Sequence, residues 1–68
     1  MIIIIKEHRY PHASTLLRCP SRKSAVQIVE KWQKSSIHYQ VHGKLPAITW
    51  KVAEGDGIVN AMIEGARL

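Results

Sequence analysis

The sequence predicts an α+β fold: a four-stranded antiparallel sheet laid out as hairpin, helix, hairpin, helix (ββαββα), with one or two helices packed on it. Three observations predict it. The run Ile2-Ile3-Ile4-Ile5 is β-branched throughout, Ala25, Ile28, Val29 and Trp32 recur at helical spacing, and residues 37–41 and 48–52 alternate apolar with polar. The 68 residues make one domain, 1–68, and a chain this short buries only about 60% of the surface its unfolded form exposes.

Met1 to Arg9 reads as a strand, because consecutive β-branched residues favour extended backbone and no polar residues interrupt them at helical spacing. A continuous apolar run wants cover on both faces, so this strand belongs in the centre of the sheet. One face calls for a helix, the other for a second helix or a partner, a second copy of the chain included. Tyr10-Pro11-His12-Ala13 is a turn, since proline fixes φ, and Ser14 to Cys19 follows as a strand with Thr15, Leu17 and Cys19 on one face.

Pro20-Ser21 punctuates the chain, and Ser21 suits the N-cap of a helix that ends near residues 34–36. Ile37, Tyr39 and Val41 alternate with His38, Gln40 and His42, stop at Gly43-Lys44-Leu45-Pro46, and resume as Ile48, Trp50 and Val52, which predicts a second hairpin. Residues 58–66 admit two readings. Asp56-Gly57 is a hairpin signal that would make them a fifth strand. A helix capped by Asp56 would instead put Ile58, Val59, Met62, Ile63 and Ala66 on one side and Asn60, Glu64 and Arg67 on the other. The helix is preferred, because Ala, Met, Glu and Arg suit it better.

Charge is distributed unevenly. The net charge is +5, and residues 1–34 hold seven Lys/Arg against two acids, whereas residues 35–68 hold three of each. An asymmetry of this kind points to an acidic or polyanionic partner for one face. The single cysteine, Cys19, cannot form an internal disulfide, so a cytoplasmic setting is expected. Four isoleucines are too few for a signal-peptide core or a membrane span, and Lys6, Glu7, His8 and Arg9 follow at once; no membrane association is expected.

Catalytic constellations are not visible. On a strand, His38 and His42 would share a face about 13 Å apart and could not ligate one ion together. His8 and His12 flank the proline turn and could approach each other, but no cysteine pair, carboxylate cluster or His-Glu-x-x-His spacing accompanies them. The serines fall at turn and cap positions, and Glu7, Glu30, Glu54, Asp56 and Glu64 form no carboxylate pair. The expectation is a non-enzymatic protein with no cofactor and no metal.

The first helix carries the clearest signal. Lys23, Gln27, Lys31 and Lys34 project within an arc of roughly 80° when each residue turns about 100°, with Arg22 at the same end. Cations in the first turn oppose the helix dipole at a cost of a few tenths of a kcal/mol. A Glu30–Lys34 pair and simple solvation would account for the face without a partner. With a partner, Arg18, Arg22, Lys23, Gln27, Lys31 and Lys34 are the candidate binding residues, and phosphates of DNA or RNA would be attracted without regard to sequence. Base-reading equipment is absent: there is no Phe, only Tyr10 among the aromatics is expected to be exposed, and no helix-turn-helix, zinc-finger or RNP signature occurs.

An opening strand ending Ile4-Ile5-Lys6-Glu7, a helix with Ser24-Ala25 near its start and Ile28 beyond, and a later hairpin containing Trp50 give the chain a layout that resembles very small phage-encoded proteins, among them type I-F anti-CRISPR inhibitors. The resemblance covers most of the chain. It implies an inhibitor that sits on a host nucleic-acid-handling complex and blocks access to guide or target strands through lysines and polar residues. No binding residue is carried over from it, and a C-terminal helix departs from the all-strand ending the layout implies. The expected function is therefore a small basic inhibitor or accessory factor that binds a host protein or nucleoprotein complex through its first helix. Direct nucleic-acid binding and a self-associating structural module are the alternatives.

Overall fold

The isoleucine run forms β1 (Ile2–Glu7), the central strand of a three-stranded sheet in a computed structural model that describes residues 1–10 and 12–68. β2 (Ser14–Arg18) and β3 (Ile48–Val52) flank it, both antiparallel, in the order β2-β1-β3. Three helices complete the chain: α1 (Arg22–Lys34), α2 (Ile37–His42) and α3 (Ile58–Arg67). The turn conformation expected of Pro11 lies outside the described residues; before it, Tyr10 N–H donates to Glu7 O at 3.1 Å, and β1 and β2 pair antiparallel as the expected hairpin.

Each face of β1 has its own helix. Ile3 and Ile5 pack with Leu17, Cys19, Ala25 and Val29 under α1, and Trp32, Ile48, Trp50 and Val52 close around them. Ile2 and Ile4 pack with Ala53 and Ala61 under α3, beside Leu16 and Leu68. Fully burying an isoleucine contributes about 1.5–3 kcal/mol, so the four buried isoleucines contribute an amount comparable to the whole stability of a small domain. Both sheet faces are thus covered from within the chain.

α1 forms where its capping serine and apolar stripe place it. Ala25 and Val29 are buried and Ile28 and Trp32 half-buried, as the spacing predicts. Ser21 occupies the N-cap in extended backbone, yet its side chain makes no cap bond to the helix. Gln33 Nε2 donates to Pro46 O at 3.1 Å and ties the helix to the loop entering β3.

The second hairpin is not formed, and the sheet has three strands rather than four. Residues 37–42 are helical: the Ser36 hydroxyl accepts from Tyr39 N–H at 3.2 Å, and Gly43 ends the turn in the left-handed region at φ 67°. These end signals outweigh the alternation of the residues between them. Ile37 and Val41 stay largely exposed, so the alternation did not mark a buried strand face. β3 pairs instead with the far edge of β1.

The C-terminal segment is helical, as preferred, but its N-cap is Gly57 and it packs through a stripe of small residues that belongs to neither of the two expected sides. Asp56 does not cap it; its carboxylate meets the N-terminal ammonium of Met1 at 2.9 Å. The buried residues of α3 are Ala61 and Gly65, while Ile58, Val59, Met62 and Ile63 are exposed. Small side chains let the helix axis approach the sheet, and polar contacts hold its flank down: Lys51 Nζ lies 2.8 Å from Glu64 Oε1, and Lys6 Nζ donates to Gly65 O at 3.3 Å. Among the described residues no helix is long and apolar enough to cross a membrane.

Candidate functional site

α1 presents the basic face that helical geometry assigns to it. Lys23, Gln27, Lys31 and Lys34 are exposed opposite buried Ala25 and Val29, and Arg22 is exposed at the helix start but on the Ala25–Val29 side, three and seven residues before them. The first turn contains no acid to offset Arg22 and Lys23, and Lys31 and Lys34 sit in the last turn, where the dipole favours them. Among the described residues the ion pairs within 4.0 Å are Met1–Asp56 and Lys51–Glu64. No α1 cation is in either, and Glu30 makes no such pair with Lys34. The lysines therefore project into solvent from a helix fixed by its buried side.

Arg18 is not part of that face. Strand alternation puts it on the same side of the sheet as Leu16, which packs under α3, and it lines a groove with Ile2, Leu17 and Ile58. The sequence-predicted set thus divides. Lys23, Gln27, Lys31 and Lys34 come together on the outer face of α1, Arg22 stands apart at its start on the Ala25–Val29 side, and Arg18 belongs to the α3 side.

The histidines are also rearranged by α2. His38 and His42 are one helical turn apart, with ring centroids 4.9 Å apart, rather than spread along a strand. They supply two donors on one face, and among the described residues no third His, Cys, Asp or Glu joins them in a group able to hold an ion. They line a groove of about 440 Å³ with Glu7, Arg9, Tyr10 and Trp32. Tyr10 is more than half exposed there, the position that the turn reading gives it. Cys19 is a buried free thiol within the α1 cluster and behaves as a small apolar side chain.

The surface that the sequence reading did not find is the outside of α3. Ile58, Met62 and Ala66 recur every four residues along the flank nearest β2, with Val59 and Ile63 above them. A groove of about 500 Å³ opens between Met62 and Ala66 on one side and Lys6, His12, Ser14 and Leu16 on the other. Its signal was present in the sequence: Ala61 and Gly65, four apart, mark the side of closest approach and leave the larger apolar residues outside.

One titration is perturbed. Glu64 is held below its ordinary value of 4.5, first by the hydrogen bond from Lys51; desolvation opposes this, and the Lys51 charge and the donors Glu54 N–H and Asn60 add to the lowering. This is a strut between β3 and α3 rather than an acid–base group poised for chemistry. No protein-family model matches the chain, and neither a curated protein nor a solved structure matches it.

Proposed function

We propose that this is a non-enzymatic binding protein that docks the outer face of α1 on an acidic surface of a host protein or nucleoprotein complex and acts there as an inhibitor or accessory factor. One observation carries the reading: Lys23, Lys31 and Lys34 stand exposed around Gln27 with no carboxylate partner among the described residues. Cations left unpaired on a rigid helix steer an anionic surface towards it and keep their full hydrogen-bonding capacity for the partner. Arg22 and Lys23 also work against the helix dipole, so local stability does not explain their placement. The anti-CRISPR-like layout suggested an inhibitor of the same kind, and the proposal rests on the charge placement instead.

The test is recovery of partners from a bacterial lysate on the immobilised protein and on Lys23→Glu with Lys31→Glu. A single stoichiometric protein or nucleoprotein recovered only by the unaltered chain is the expected result. Equal recovery by both would overturn the reading. Tight binding to random duplex DNA with a steep salt dependence, lost in the same variant, would transfer the face to phosphates directly.

A further inference from the structure

We propose that the free edge of β2 and the adjoining apolar flank of α3 form a docking groove for an extended segment of a partner protein, apolar at alternate positions and acidic around them, which adds to the sheet as a fourth strand. The hydrogen-bond phase of the hairpin identifies the free groups. Cys19 N–H donates to Met1 O at 3.0 Å, and the ladder pairs Ile3 with Leu17 and Ile5 with Thr15. In an antiparallel ladder the bonded residues alternate, so Thr15 and Leu17 bond inward to β1 while the N–H and C=O groups of Ser14, Leu16 and Arg18 point out of the sheet. Among the described residues no turn, loop or cap bond occupies them.

The same residues turn their side chains to the α3 side. Leu16 packs in the α3 cluster, Ser14 lines the groove with Met62 and Ala66, and Arg18 lines its continuation with Ile58. Backbone donors and an apolar wall therefore serve one occupant. Their lengths agree: Ser14 to Arg18 spans about 13 Å of strand, and Ile58 to Ala66 about 12 Å of helix. Ile58 and Met62, 51% and 60% exposed, stand where the inward side chains of an added strand would lie. Main-chain bonds to an exposed edge with pockets for alternate side chains are the elements of strand-addition recognition.

Charge selects the partner. The groove linings include Lys6, His12 and Arg18 and no acid. A segment with Asp or Glu flanking its apolar residues satisfies them, whereas a second copy of this chain, itself at +5, would bring the same cations to the same groove. The surface lies across the sheet from α1, so it goes beyond the α1 reading and can fail independently of it.

The experiment selects random displayed peptides on the full chain and maps the best one by amide hydrogen exchange and chemical shifts. Peptides apolar at alternate positions, with Asp or Glu two residues before and after the apolar ones on the same strand face, are expected, with new protection at Ser14, Leu16 and Arg18. N-methylation of alternate peptide nitrogens should weaken binding about tenfold. Arg18→Glu with Met62→Glu, both at exposed sites, should abolish it with an otherwise unchanged amide spectrum, while Lys23→Glu with Lys31→Glu should leave it intact. Failure to select any peptide, shifts confined to α1, indifference to N-methylation, or protection of these amides by dimerisation without peptide would each overturn the proposal.

Discussion

Gly65 brings α3 so close to β1 that a Cβ at this position would stand 3.2 Å from Cγ2 of Ile4 and 3.0 Å from Oγ of Ser14. The neighbours decide the sign of a substitution here. Alanine gains about 1 kcal/mol of helix propensity over glycine, but Ile4 is fully buried and cannot move aside, and overpacking costs about 1–3 kcal/mol. Gly65→Ala is therefore expected to be destabilising by about 1 kcal/mol net, and Gly65→Val by more, in urea titrations. At Gly57, the N-cap of α3, a Cβ would meet only Asn60 Cβ at 3.9 Å, so alanine there loses only the N-cap preference for glycine, about 0.5–1 kcal/mol, and Gly57→Val should cost much less than Gly65→Val. Equal effects of valine at the two sites would show that α3 is not held by close approach.

The Lys51–Glu64 strut gives the fold an acid-sensitive element. Glu64 has a folded-state value below 4.5, so its contribution to stability is fully present above its unfolded value and is lost as pH falls through the lower folded value. The urea midpoint should therefore decline below about pH 4.5, while the Glu64 carboxyl carbon in NMR titrates below its ordinary value of 4.5. Lys51→Met removes the first cause of the shift and should return that titration towards its ordinary value. A titration unchanged by the substitution would mean that the backbone donor of Glu54 and the amide of Asn60 suffice.

What the sequence made legible were the elements whose local signal and tertiary role agree. The Ile2–Ile5 run demanded cover on two faces and has it, and the α1 stripe separated Ala25 and Val29 from the lysines. Residues 37–42 misled because alternation was read as burial, whereas Ile37 and Val41 lie outside and the flanking Ser36 and Gly43 set the backbone. α3 is helical as its composition predicts, but its inward face is not the one its large apolar residues mark, because the closest packing is made by Ala61 and Gly65. Strand alternation sets Arg18 on the face opposite Thr15, Leu17 and Cys19, but which of the two faces α1 covers is not carried by the local sequence, and Arg18 lies on the α3 side.

α2 should loosen without unfolding the rest, because it buries no residue and hangs on its two ends. Ser36→Ala removes the acceptor for Tyr39 N–H and is expected to cost the helix about 1 kcal/mol. Gly43→Ala forces a Cβ into φ 67° at a similar cost of about 1 kcal/mol. Hydrogen exchange should accelerate at the Gln40 and Gly43 amides, which bond to Ser36 and Tyr39 carbonyls, while exchange in β1 stays unchanged. Parallel acceleration in β1 would mean that α2 is coupled to the core.

Lys23 offers a test in which stability and binding move in opposite directions. It lies exposed in the first turn of α1, where no acid is present to complement the dipole. Lys23→Glu replaces an unfavourable charge with a favourable one and is expected to stabilise the fold by about 0.3–1 kcal/mol, which for a domain of this size is a rise in Tm of about 2–6 °C. The same substitution should slow association with the lysate partner and weaken its salt dependence, since it reverses a charge that steers the encounter. A residue that costs stability and is needed for binding is placed by its partner. A variant that gains stability and keeps its partner would show that the α1 cations are merely solvated, and a variant that loses stability would place Lys23 in a contact of the fold itself.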